Sequence, residues 1–244
     1  MIYSGSSGLV LPVPNKRSFP KEFKDKSRLA YYASIFNSIE INSSFKKLPM
    51  RKTVEKWAAN VPAGFQFSFK ISSVITHTKE LLFNAEDVYH LLERVDGVGE
   101  KKGCLLIQFP GKLAVTCSSQ LEKLLTLIQE RDPGKHWKVA VEFRHSSWYD
   151  KEIYQLLSRH NAALVLHDMR SPGPPSHEPT ADFVYLRFHG PENGYRGSYP
   201  EEFLFRYAKQ IKAWNAEGKI VYVYFNNTLG DAANNLITLN GFLN

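Results

Sequence analysis

Two hydrophobic patterns alternate along the chain. Short runs rich in Val, Ile, Phe, Tyr and Leu predict β-strands at residues 2–5, 38–43, 66–71, 104–109, 138–143, 163–167, 183–189 and 221–226. Helical patterns lie between them at 27–36, 53–60, 84–95, 118–131, 149–160, 200–217 and 230–239. The clearest carries Leu121, Leu124, Leu125 and Ile128, the i, i+3, i+4, i+7 stripe of an amphipathic helix. Thr53 is the expected N-cap of its helix. Pro200, Glu201 and Glu202 mark another helix start, because proline fits the first turn and acids favour its positive end.

Strand–helix alternation repeated about eight times predicts a parallel sheet covered by helices. At 244 residues the expected architecture is a single domain over 1–244, a (β/α)8 barrel of the TIM type. Residues 171–179 hold four prolines, so the crossover between the sixth and seventh strands is expected to be irregular. An open doubly wound sheet is the structural alternative. Against it, no G-x-G-x-x-G follows the first strand and no P-loop occurs, so the chain shows no nucleotide-cofactor motif.

Side chains alternate along a strand, and each run divides into two sets. One set is apolar throughout, as in Phe65, Phe67, Phe69 and Ile71, or Val184, Leu186 and Phe188. It is expected to pack on helices. The other set is mixed, and its charges and amides gather at the C-terminal strand ends. They are Glu40, Asn42, Lys70, Gln108, Glu142, Arg144, His167, Arg187, His189 and Asn226. In barrels of this type the C-terminal mouth is where chemistry sits. Two readings follow: a polar pocket, or a buried ion-pair network that pairs Glu142 with Arg144 or Glu40 with Lys70. Burying so many charges is costly even when they are paired, which favours the pocket.

Composition narrows the partners. Hydrophobic residues make up 43% and charged residues 23%, ordinary for a globular chain and unlike a disordered or coiled-coil one. The net charge of +7 points to anionic partners, either a small molecule or nucleic acid. Lys16, Arg17, Lys46, Lys47, Arg51 and Lys52 fall in the first two strand–helix loops, on the same face as the pocket. They are the main argument for a polyanion; a plain solvated surface is the competing reading. Cys104 and Cys117 are read as reduced thiols. Residues 1–20 lack a signal-peptide pattern, and no apolar stretch is long enough to span a bilayer. The expected location is the cytoplasm, with no membrane contact. The oligomeric state is not legible.

Several strings are specific. FNSIEINSSFKKLP (36–49) precedes TVEKWAANVPAGFQFSFKI (53–71) and ITHTKEL (75–81). LLIQFP (105–110), VAVEFRHSSW (139–148), LVLHD (164–168), FVYLRFHG (183–190) and VYVYFNNTLGDAA (221–233) follow in order. Together they resemble the YecE-like family, catalogued as domain of unknown function 72. The resemblance spans nearly the whole chain and implies a TIM-type barrel with no settled activity. Members tend to begin G-T-S-G-W-x-Y, whereas this chain begins Tyr3-Ser4-Gly5-Ser6-Ser7-Gly8-Leu9 and lacks the tryptophan. A first-loop aromatic on the substrate is therefore not expected.

The candidate chemistry is a hydrolase or lyase acting on a phosphate-bearing substrate. Glu142, His189 and His167 are the candidate catalytic residues; Glu142 orients or stabilises charge, and the imidazoles titrate near neutral pH. Arg144, Arg187 and Lys70 are expected to hold the anion, with Glu40, Asn42, Gln108 and Asn226 around it. Lys70 also fits a Schiff-base amine if desolvated. Arg196 and Asn227 sit in the last two strand–helix loops, where barrels often cradle phosphate on backbone amides. A divalent metal held by Glu40, Glu142, His167 and His189, in an endonuclease-like or phosphoesterase site, is a first alternative that the residue set does not favour. A non-catalytic module binding nucleic acid or a phosphometabolite is the second.

Overall fold

Each predicted strand run forms strand, and the sixth divides in two at Val165. The computed structural model describes residues 1–134, 136–169, 179–192 and 194–244. The strands are β1 (Ile2–Ser6), β2 (Ser38–Ile41), β3 (Gln66–Lys70), β4 (Lys102–Gln108), β5 (Lys138–Glu142), β6 (Ala162–Leu164), β7 (Leu166–His167), β8 (Phe183–Phe188) and β9 (Ile220–Phe225). The helices are α1 (Arg28–Ile35), α2 (Arg51–Ala59), α3 (Ser73–Thr76), α4 (Ala85–Val95), α5 (Ser118–Arg131), α6 (Lys151–Arg159), α7 (Glu201–Ala216) and α8 (Ala232–Leu243). The irregular crossover expected at 171–179 falls, up to residue 178, outside the described residues.

The fold is mixed α/β, and every strand pairing is parallel. One sheet has the order β2-β3-β4-β5-β6 and the other β1-β9-β8-β7. They meet at two places. At the first, Ser7 bridges Glu40, and side chains replace the missing ladder between β1 and β2. The Tyr32 hydroxyl of α1 accepts the Ser6 N–H at 2.7 Å and donates to the Ser38 carbonyl at 3.0 Å. Asn37 accepts the Ser4 N–H at 2.8 Å and donates to the Ile2 carbonyl at 2.9 Å. Gly5 is needed there, because a Cβ would lie 2.0 Å from the Ser38 carbonyl oxygen. At the second place, the Thr180 hydroxyl accepts the Leu164 N–H and donates to the Ala162 carbonyl, both at 2.8 Å.

The two side-chain sets separate as predicted. Ile39, Phe67, Ile107, Val141, Leu186 and Val223 join the large core built with the helices. Cys104, Leu106, Ala140, Tyr185, Tyr222 and Tyr224 form a second, inner core. α2 starts two residues before the expected N-cap: Met50 takes that place, and Thr53 lies inside with its N–H bonded to the Met50 carbonyl. Arg51 and Lys52 are good helix formers and extend the turn backwards. α3 was not predicted; four residues are too few to show a period.

Candidate functional site

The inner core ends in charge. Glu40 closes on Arg187 from β2, Glu142 reaches it from β5, and Arg187 itself projects from β8. Both carboxylates are 0% exposed and Arg187 is 1% exposed. The guanidinium binds Glu40 through two parallel bonds, Nε to Oε2 at 3.0 Å and Nη2 to Oε1 at 2.8 Å. Its Nη1 donates to Glu142 Oε2 at 2.6 Å. Planar fork geometry makes arginine suited to this double role. Ser7 and Tyr185 donate to the remaining positions of Glu40. Burial by itself would raise both carboxyl pKa values, but the cations outweigh it. Arg187 holds Glu40 below the ordinary carboxylate value; Arg187 and Arg144 hold Glu142 well below it. Both are ionised.

Above this bridge lies a second layer. Arg144 donates to Glu142 Oε1 through Nε, and Nη2 reaches the same oxygen. Its Nη1 points at Met169 Sδ, a weak acceptor. His189 Nε2 is 3.6 Å from Glu142 Oε2, and Nδ1 is 3.0 Å from Asn226 Nδ2. An amide donor at Nδ1 favours the ring proton on Nε2, beside the carboxylate, where Arg144 Nη2, itself a donor, also approaches to 3.5 Å. Burial pushes the His189 pKa down, so the ring is neutral at pH 7. Lys70 donates to Gln108 Oε1 at 2.6 Å and lies 4.2 Å from the Phe45 ring centroid. Burial, then the charge of Arg187, pushes the Lys70 pKa down to about 8. Asn42 Oδ1 is buried with no hydrogen-bond partner among the described residues. A cleft of about 720 Å³ opens beside this layer, lined by Met169, His189, Tyr195 and Phe203 among others.

The structure therefore brings Glu40, Asn42, Lys70, Gln108, Glu142, Arg144, Arg187, His189 and Asn226 to one end of the strands. It combines the pocket with the ion-pair network: Glu142 does pair with Arg144, but Glu40 pairs with Arg187 and not with Lys70. Three other expectations change. His167 spends both ring nitrogens, Nδ1 on the Met169 N–H and Nε2 on the Tyr149 hydroxyl at 2.9 Å. Burial drops its pKa to about 4, which suits a fixed neutral ring and not an acid or base. Arg196 is exposed and bridges back to Glu192. Asn227 faces Gly197 and Asn235, each at 3.0 Å. The amides that would cradle phosphate there are already used. Leu229, Gly230 and Asp231 donate to the carbonyls of Tyr195, Asn227 and Gly197.

The donor set for a metal does not fit. Arg187, Ser7 and Tyr185 occupy Glu40, two arginines occupy Glu142, and His167 has no free nitrogen. Among the described residues no group of three or more His, Cys, Asp or Glu side chains is placed to hold a metal ion. No helix is long and apolar enough to cross a membrane, among the same residues.

Tyr185, and the pairing of Asp168 with Tyr199, were not singled out from sequence. Tyr185 shares the face of Arg187 by strand alternation, which was the available signal. Asp168 accepts the His189 N–H at 2.8 Å and the Tyr199 hydroxyl, and Tyr199 accepts the Gly190 N–H. This clamp fixes the start of the loop after β8, and no sequence spacing announces it.

A family model matches residues 4–244. The UPF0759 protein YunF of Bacillus subtilis is 26% identical, with 96% of this chain and 92% of that protein covered. A DUF72 family protein from Enterococcus faecalis has a solved structure that superposes with a TM-score of 0.81 at 22% identity, covering 100% of this chain and 95% of that one. One from Thermotoga maritima gives 0.76 at 25% identity, covering 100% and 99%. The likeness extends to TIM-barrel-like proteins such as an AP endonuclease, family 2, from Brucella melitensis, with a TM-score of 0.58 at 13% identity and 96% of each chain covered. At that identity only the fold is shared. The match over nearly the full length, together with these relatives, places the chain: it belongs to the family described as "Protein of unknown function DUF72".

Proposed function

We propose that the two sheets are arcs of one closed (β/α)8 barrel, and that the chain is an enzyme acting on a phosphate-bearing anion at its C-terminal mouth. Closure is supported by the Ser7–Glu40 bridge and by the sixth run, which belongs to both sheets: the Val165 N–H bonds to the Val141 carbonyl while β7 pairs with β8. The anion reading rests on one observation. Two ionised carboxylates face Arg187, Arg144 and Lys70, so among these five groups one positive charge is left over, and it lies in the outer layer. Arg144 turns one amino group to a thioether and Lys70 turns its ammonium to a neutral amide. A phosphate oxygen is a stronger acceptor than either, and a charge-assisted bond is roughly twice as strong as a neutral one.

Glu142 and His189 supply the proton chemistry in this reading. Glu142 faces the Nε2–H side and stabilises an imidazolium when one forms. Nδ1 is held by the Asn226 amide, so it takes a proton from water or a substrate hydroxyl once that amide gives way. Hydrolysis or elimination at the phosphate or an adjacent sugar follows from that arrangement. Arg187 and Glu40 set the geometry without touching substrate.

The test is calorimetric titration with inorganic phosphate at pH 7. Binding is expected, and Arg144→Ala should weaken it about tenfold or more, since a charged hydrogen bond contributes about 1.5–3 kcal/mol. No binding, or no change in Arg144→Ala, overturns the reading. Once turnover is found on a panel of phosphate esters, Glu142→Gln and His189→Asn should each lower kcat by about 100-fold or more.

A second reading has its own observation. Lys16, Arg17, Lys46 and Lys47 are exposed in the loops after β1 and β2, and Lys52 is exposed in the first turn of α2. Arg51 is engaged with Glu55 and the Glu93 carbonyl and does not add to them. This surface would bind nucleic acid through phosphates. Retention on DNA should then fall steeply with added salt, and retention without a salt slope contradicts it.

A further inference from the structure

The cleft beside the mouth is far larger than a phosphate needs. We infer that its occupant carries a flat ring, and that Tyr195 is the platform on which this ring stacks. The inference rests on the anion reading above and names the rest of the molecule.

Three observations carry it. First, the cleft of about 720 Å³ shares His189 with the proton-transfer pair and Met169 with Arg144. A phosphate held on Arg144 would have this cleft beside it, with room for its substituent. Sites of that volume hold whole organic molecules, not lone ions. Second, Tyr195 lines the cleft, is 41% exposed as a residue, and has its ring centroid 5.8 Å from the His189 ring. Phe203 adds a second aromatic side chain to the lining. An aromatic face with open space above it fits a ring by stacking, whatever polar groups that ring bears.

Third, Tyr195 has a backbone φ of +64°, left-handed and unfavourable for a bulky residue. Neighbouring contacts hold it there. The Leu229 N–H bonds to the Tyr195 carbonyl at 3.1 Å. Gly190, with φ of +105°, lets the next residue approach so closely that a Cβ would lie 2.2 Å from the Arg196 carbonyl oxygen. The flanking Gly194 and Gly197 also have positive φ, at +78° and +83°. Glycine would suit position 195 equally well for the fold. Apart from its contact with the His189 ring, this half-exposed aromatic has an open side toward the cleft, and a ligand there would account for keeping it in a conformation that disfavours it.

The experiment compares two phosphate monoesters of equal charge, methyl phosphate and phenyl phosphate, by calorimetric titration at pH 7. Phenyl phosphate should bind roughly tenfold more tightly than methyl phosphate. In Tyr195→Ala this ratio should collapse to within about twofold, and Tyr195→Phe should keep it. Tyr195→Gly should also lose the ratio while its melting temperature stays the same or rises, because the strain is relieved. Arg144→Ala should weaken both esters and leave their ratio in place. If methyl phosphate binds and phenyl phosphate binds no better, the ring inference fails while the anion reading stands. If neither binds, the anion reading fails and takes this inference with it. A ratio that survives Tyr195→Ala, or a clear fall in the melting temperature of Tyr195→Gly, also overturns the inference.

Discussion

Arg187 is the residue on which the site geometry depends. It is buried, it satisfies two buried carboxylates at once, and both of them hold its own pKa above the ordinary arginine value despite the opposing effect of burial. Arg187→Met would leave the buried Glu40 carboxylate without a cation and Glu142 with Arg144 alone. Removing one side of a buried pair typically costs about 3–5 kcal/mol, and that loss is expected in urea unfolding. Adding Glu40→Gln to Arg187→Met should recover part of it, since the orphaned charge is then gone. Arg187→Lys should not rescue, because an ammonium cannot bond both oxygens of Glu40 and also reach Glu142. A wild-type midpoint in Arg187→Lys would refute this account of the network. Strand alternation made Glu40, Glu142 and Arg187 legible as members of one inward face. It could not show who pairs with whom. Arg144 follows Glu142 by two residues just past the end of β5, on the side that strand alternation continues, so their pairing was readable. Arg187 meets Glu40 across the interior from β8 to β2, and no local spacing encodes that distance.

At the scale of elements, the strands follow from their hydrophobic runs, yet the joints between sheets do not. β1 and β2 are held together by side chains in place of a ladder. Tyr32 and Asn37 each accept one backbone N–H and donate to one carbonyl. In sequence, Tyr32 is an unremarkable aromatic on a helix, and its packing against Phe36 and Phe65 fits that simpler role. Its hydroxyl is what the joint needs. Tyr32→Phe keeps the ring and strands the Ser6 N–H and the Ser38 carbonyl. Each unsatisfied buried group costs about 1–3 kcal/mol, so thermal unfolding should show a loss of about 2–4 kcal/mol. Gly5→Ala should destabilise the same joint, because the 2.0 Å contact is with backbone and cannot yield without moving β1 from β2. Near-neutral results for both variants would mean that β1 is held mainly through β9, its laddered neighbour.

For the molecule as a whole, the charged end of the strands couples stability to pH and, on the anion reading proposed above, binding as well, in two separate windows. His167 has an ordinary pKa near 6.5 when unfolded and about 4 when folded. Between those values the unfolded chain takes up a proton that the folded chain refuses. The stabilisation is therefore complete above about pH 6.5 and is lost as pH falls toward 4, by about 3 kcal/mol at most. His189, also shifted down, adds to the same slope. Glu40 and Glu142 act later: their stabilisation is complete above the ordinary carboxylate value and is lost only as pH falls below it. His167→Gln should thus flatten the stability slope between pH 6.5 and 4 and leave the steeper loss below it. An unchanged slope would mean that the buried ring charges freely. The second window is alkaline. Lys70 loses its proton near pH 8, where a phosphate monoester keeps both negative charges. The surplus cation that attracts an anion therefore disappears while the anion itself does not change. Affinity for methyl phosphate should fall as pH rises from 7 to 9 in the native protein, and Lys70→Met should bind it more weakly at pH 7 and lose that dependence. If Lys70→Met retains the alkaline fall, another group carries the charge that the anion senses.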